Sequence, residues 1–128
     1  MAKSTKSYHH GNLKQELIHC ACRLCEENGY ETLSMRSIAK ESGVSQTAPY
    51  RHFDTKESLY AYVAMEGFKK LSAATNIDIS KKVTKDNMVK TGINYINFGL
   101  GNANTYDLMF GTAVGDFSNY PDLLECAN

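Results

Sequence analysis

The sequence contains no run of 18 apolar residues, so no part of it is suited to cross a bilayer as a helix. Its first eleven residues, Met1 to Gly11, are polar and basic with no apolar stretch behind them, which argues against a secretory leader and for the cytoplasm. Net charge is absent too: 14 Lys and Arg balance 14 Asp and Glu. Only two prolines, Pro49 and Pro121, interrupt the chain, and no strand-like alternation lasts six residues. There is no internal repeat and no low-complexity segment. No glycine-rich phosphate loop, nucleophile elbow or zinc-protease pattern occurs, so the residues point away from an enzyme and call for no cofactor. With 42% apolar and 22% charged residues, the 128-residue chain is globular rather than disordered, with length for about one domain.

The four cysteines, without a leader, predict reduced thiols. Cys20, Cys22 and Cys25 fall on one predicted helix, where Cys20 and Cys22 diverge by roughly 200° and Cys20 and Cys25 by about 140°. Three such thiolates cannot converge on a tetrahedral ion, and no metal site is expected. Cys25 reads instead as a small core residue. His9 and His10 lack a third ligand. They belong to a different pattern: residues 1–14 hold Lys3, Lys6 and Lys14 and no acid, whereas residues 76–128 carry four Lys against six acids. A local basic strip of this kind is what a phosphate backbone meets, whatever the net charge.

The periodicity is helical throughout. A first helix is predicted over 12–28, with Asn12 and Gln15 as a capping box, a stripe of Leu13, Leu17, Ala21, Leu24 and Cys25, and Gly29 as terminator. Ser34 caps a second, over 35–41, with Met35, Ile38 and Ala39 inward. Ser45 caps a third, over 46–52. Thr55 opens a long fourth helix with Leu59, Val63, Gly67 or Phe68, and Leu71 on its buried face. After a polar connection over 75–83, Thr84 begins a fifth, with Val89, Ile93, Ile96 and Leu100 in line. Asn102 opens a sixth over 103–110, and Pro121 suits the first turn of a seventh. That last helix has only about two turns, marginal by itself, so Leu123 and Leu124 need a surface to pack on and the chain reads as cut short.

The informative stretch is Ser34 to Lys56, SMRSIAKESGVSQTAPYRHFDTK. Two short helices joined by a glycine turn have the form of a helix-turn-helix. A small Ala39 lets the two backbones cross closely. Gly43, four residues on, supplies a left-handed turn without a Cβ penalty. Val44 and Ile38 seal the corner, so that Gln46, Thr47 and Ala48 project outward, as a recognition helix does in a major groove. Gln pairs with adenine, and Thr and Ala methyls suit the thymine methyl. Arg36, Ser45, Tyr50, Arg51, His52 and Lys56 are placed to meet flanking phosphates. The alternative reading of the same residues is a helical protein-interaction module that does not bind DNA.

Several motifs, Tyr8-His9-His10-Gly11-Asn12-Leu13, Ala21 with Asn28-Gly29-Tyr30, Ile38 to Ser45, and Tyr50-Arg51-His52-Phe53 with Lys56-Glu57-Ser58-Leu59, together resemble the N-terminal domain of TetR-family transcriptional regulators over about residues 8–71. The stretch from Asn102 through Tyr106-Asp107-Leu108-Met109-Phe110-Gly111 resembles the ligand-binding region of one subgroup. The resemblance implies an all-α fold: a three-helix, homeodomain-like helix-turn-helix domain over 1–55, then a truncated helical ligand-binding and dimerisation domain over 56–128. It implies a repressor, relieved by an unknown small-molecule effector, that binds an inverted-repeat operator in double-stranded DNA as a homodimer. Gln46, Thr47 and Ala48 then lie nearest the bases, Tyr50, His52 and Lys56 at phosphates, and Phe53 in the core. Pro49 departs from the family pattern, because it deletes the bond back to Ser45 and presses on that carbonyl. Phe68, Met88, Tyr95, Phe98, Met109 and Phe110 are candidates for the effector pocket, or else ordinary core.

Overall fold

The computed structural model describes residues 12–75 and 84–127. The basic residues Lys3, Lys6, His9 and His10 lie outside them, as do residues 76–83 of the polar connection. The order is α1 (Leu13–Asn28), α2 (Met35–Ser42), a 3₁₀ turn (Ala48–Arg51), α3 (Lys56–Thr75), α4 (Lys85–Gly101), α5 (Ala103–Phe110) and α6 (Pro121–Ala127). Shorter 3₁₀ turns stand at Tyr30–Thr32 and Phe117–Asn119. None of these helices is long and apolar enough to cross a membrane.

Leu17, Ala21 and Cys25 are fully buried on α1, as their spacing predicts, but Ile18 and Cys20 are buried as well. The helix is covered on two sides, by α2 on one and by α3 and α5 on the other. Its start differs from the predicted capping box. Asn12 has near-helical backbone angles, φ −106° and ψ −2°, and its side chain caps nothing. A cap needs extended backbone for its side chain to swing over the first amides; Gln15 approaches His19 instead, at 3.4 Å. The end agrees with expectation: Gly29 takes φ +92° and its amide donates to the Cys25 carbonyl at 2.7 Å. The Glu26 carbonyl is satisfied from far along the chain, accepting from Asn104 Nδ2 of α5 at 2.9 Å.

Reciprocal caps fix the next two starts. Ser34 and Ser37 exchange side-chain bonds with each other's amides at 2.9 and 3.0 Å, and Thr55 and Ser58 do the same at 3.1 and 3.2 Å. From Thr55 the chain enters α3, the central helix, which packs on α1, α4, α5 and α6. The result is a continuous core running from Leu17, Ile38 and Phe53 through Leu59 and Val63 to Phe98, Leu108 and Leu123. Packing is continuous across residues 55 and 56. Pro121 does open α6, whose Leu123 is fully buried while Leu124 stays half exposed.

The aliphatic line of α4 faces outward. Val89, Ile93, Ile96 and Leu100 are each more than half exposed, and the helix turns Thr91, Asn94 and Phe98 toward α3 and α5. Phe98 lies about 200° around the helix from Leu100, so burying the aromatic ring puts the aliphatic line outside. Asn102 starts α5 at the expected place, yet its side chain donates backward, to the Phe98 carbonyl at 3.0 Å, and closes α4.

Candidate nucleic-acid interface

The corner between α2 and the 3₁₀ turn is closed by backbone bonds. Gly43 takes φ +71° and ψ +28°, its amide donates to the Lys40 carbonyl at 3.2 Å, and Val44 donates to Ala39 at 3.0 Å. This pair of bonds is a Schellman closure. Ala39 and Ile38 are fully buried beneath it, and Val44 is half-buried against the same core. The left-handed glycine, the small crossing residue and the apolar seal thus stand where the spacing put them.

Beyond Val44 the helical segment is shorter than the predicted helix over 46–52. An α-turn from Ser45 needs the N–H of residue 49, which is proline and has none. The Ser45 carbonyl accepts from Ala48 instead, at 3.1 Å, and Tyr50 likewise reaches only to Thr47, at 3.1 Å. The segment closes as the 3₁₀ turn Ala48–Arg51 behind a turn at Gln46 and Thr47. A 3₁₀ turn winds tighter than α, and Pro49 itself is buried. Ala48 is corrected by the same geometry: it is only 4% exposed and faces inward. Ser45, Gln46 and Thr47 are exposed at the tip, with the Ser45 and Thr47 hydroxyls 3.3 Å apart.

Around this tip Arg36, Tyr50, Arg51 and Lys56 are exposed and His52 is half-buried. Among the described residues Arg36, Arg51 and Lys56 make no ion pair, while the nearby acid Glu41 is taken by Arg23 at 3.4 Å. Free cations of this kind can exchange counterions for phosphates. Lys56 Nζ rests 5.5 Å from the Tyr60 ring centroid, which directs it along the start of α3. Phe53 is buried and meets the Tyr62 ring edge-on at 5.5 Å, and Lys14 Nζ donates to the Tyr62 hydroxyl at 2.7 Å. The turn is therefore tied to both α1 and α3.

Residues 17–63 match the family described as bacterial regulatory proteins, tetR family. The chain is 42% identical over 50 residues to helix-turn-helix-type transcriptional regulators of Staphylococcus aureus strains USA300 and NCTC 8325. That alignment takes in 39% of this chain, which spans about a quarter (27%) of their length. A protein of unknown function from Rhodococcus sp. RHA1 superposes with a TM-score of 0.76 at 28% identity, over 95% of this chain and 63% of its own. Residues 17–63 belong to the TetR family.

This TetR-family segment ends within α3, so the remaining helices are read from their own geometry. Of the six pocket candidates, Phe68, Tyr95 and Phe110 line one open cleft of about 270 Å³, bounded also by Leu71, Thr75 and Cys126. Phe68 packs edge-on against Phe110 at 5.3 Å, and the Tyr95 and Tyr106 hydroxyls lie 3.1 Å apart. Phe98 and Met109 are core residues, and Met88 is mostly exposed on α4, away from the cleft. Sequence reasoning passed over a second, larger cleft of about 380 Å³ where α1 meets α3 and α5, lined in part by Cys22, Glu26, Glu66 and Thr105. The signal for it was the burial of α1 on two sides, which a one-stripe reading hides.

Proposed function

We propose that this chain carries the DNA-reading half of a one-component transcriptional regulator. The observation that carries the reading is the exposed Gln46-Thr47 tip, which follows the Gly43 closure and is flanked by Arg36, Arg51 and Lys56, cations that make no ion pair among the described residues. Gln46 and Thr47 read bases; Arg36, Ser45, Tyr50, Arg51, His52 and Lys56 hold phosphates. Residues 1–55 serve as the reading unit and 56–128 as part of an effector-binding unit. Two copies, as a homodimer, place their tips in successive major grooves of an inverted-repeat operator in the cytoplasm. A small effector in the Phe68–Tyr95–Phe110 cleft relieves repression by favouring one arrangement of α3, and it acts only through its differential affinity for the two arrangements.

Selection of bound fragments from genomic DNA tests this directly. A short inverted repeat is the expected result, with log K falling against log[salt] at a slope of about −3 to −4 per subunit for roughly four phosphate contacts. A flat salt response with no recovered repeat would replace this reading with a helical module that binds protein.

A further inference from the structure

Helix α4 carries an apolar line that nothing among the described residues covers. Val89, Ile93, Ile96 and Leu100 are each more than half exposed, Leu100 at 77%. Their spacing of four, three and four residues is the heptad seam of a helix that lies along another helix. The opposite face, with Thr91, Asn94 and Phe98, is the one turned to α3 and α5. No charged residue occurs from Thr91 to Tyr106, although the outer side of this stretch meets solvent. Surface helices ordinarily carry charge on that side, and depletion of charge marks the centre of an interface. Gly92 and Gly99 border the seam along one edge. A Cβ on Gly92 would meet nothing within 4 Å, so the backbone there is open to close approach.

We infer that this face pairs with the same face of a second copy, the two α4 helices running antiparallel about a twofold axis between Asn94 and Tyr95. A four-three-four spacing reads the same in both directions, so Val89 meets the partner's Leu100 and Ile93 meets the partner's Ile96. An isologous contact requires this self-complementarity. Charge selects the direction. Asp86 stands one heptad before Ile93 on the same line, so parallel helices would set two Asp86 carboxylates opposite each other. The antiparallel register sends them to opposite ends of the pair. Lys90 then lies across from the partner's Asn97 and Gly92 from the partner's Gly99, and no like charges meet. A seam of under two heptads is smaller than the roughly 800 Å² per partner of a standard interface, so a Kd on the order of tens of micromolar is expected. The pairing names a surface for the homodimer proposed above and rests on that reading for there being two copies.

Sedimentation equilibrium of the whole chain, from about 2 to about 200 μM, tests this. A monomer–dimer equilibrium is expected, and Ile96→Asn and Leu100→Asn should each weaken it by about tenfold or more. At about 1 μM, well below the expected Kd, the chain is monomeric, and unfolding measured there shows that the variants keep their fold. Direction is tested by charge. Val89→Lys alone and Leu100→Glu alone should each weaken pairing by about tenfold or more. The two together in one chain should recover at least about fivefold over either, because antiparallel helices bring the new ammonium against the new carboxylate twice. A double variant as weak as the single ones overturns the antiparallel register. Dimers indifferent to Ile96→Asn overturn this surface and leave the homodimer standing. Assemblies larger than a dimer overturn the twofold pairing. A chain monomeric to about 200 μM overturns the pairing altogether and leaves the face for a helix of another protein. No DNA enters the measurement, so recovery of an operator by fragment selection stands or falls separately.

Discussion

A Cβ placed on Gly67 would stand 2.6 Å from Met109 Sδ and 2.9 Å from Thr105 Cγ2, so α3 and α5 meet at a contact that only a hydrogen side chain permits. Gly67→Ala gains about 1 kcal/mol of helix propensity but forces two buried neighbours aside, which costs about 1–3 kcal/mol. Net destabilisation is expected, read as a lower urea midpoint. Pairing it with Met109→Ala should give a loss smaller than the sum of the two single losses, because the truncated side chain makes room for the added methyl.

The corner at Ala39 separates fold from function. Ala39→Leu overpacks a fully buried crossing and should destabilise by about 1–3 kcal/mol while most far-ultraviolet helicity survives. Binding to the selected operator should fall much further than stability does, because the Gln46-Thr47 tip is displaced. Operator affinity equal to that of the parent chain would contradict this account of the corner.

Two substitutions at the tip should behave differently. Gln46→Ala is expected to cost about 1–3 kcal/mol on the selected operator and little on unrelated DNA. Lys56→Ala should weaken every sequence alike and reduce the salt slope by about one. Fluorescence anisotropy with both kinds of duplex at several salt concentrations distinguishes the two patterns.

The helical register, the Ser34 and Thr55 caps and the glycine corner were legible because each depends on local stereochemistry. Asn12 was misread because capping needs an extended backbone, which residue identity alone does not guarantee. Pro49 signalled distortion in the sequence, but the degree of it, a 3₁₀ turn with Ala48 inward, depends on which amide reaches the Ser45 carbonyl first. Which face of α4 is covered was not legible at all. Val89, Ile93, Ile96 and Leu100 share a helix face by periodicity, yet which face is buried is decided by Phe98 and by the position of α3, and periodicity is blind to both.

The exposed line on α4 leads to a mild phenotype. Ile96→Asn and Leu100→Asn should each change the stability of this chain by no more than about 0.5 kcal/mol, as for other surface positions. Thermal or urea unfolding checks this. A loss above about 2 kcal/mol would mean that the residues are covered in solution.

Alkaline pH should weaken the fold through α1. Burial pushes the Cys22 thiol up to about 12 and the Cys25 thiol to about 11, from an ordinary 9.0. Unfolded chains begin to ionise these thiols near pH 9 while folded ones do not, so the stability they contribute is intact below about 9 and drains away as pH rises toward 11–12. Urea midpoints should fall between about pH 8 and about pH 10, and Cys22→Ala should flatten that decline.

The bond from Asn104 to the Glu26 carbonyl spans 78 positions of sequence, and it closes the last turn of the first helix with a group from the fifth. The front of the molecule is thus braced from far along the chain. A protease fragment stopping short of residue 84 leaves that turn without its clasp and strips α5 from the flank of α1, so fraying begins there and spreads toward the residues that seat the reading tip.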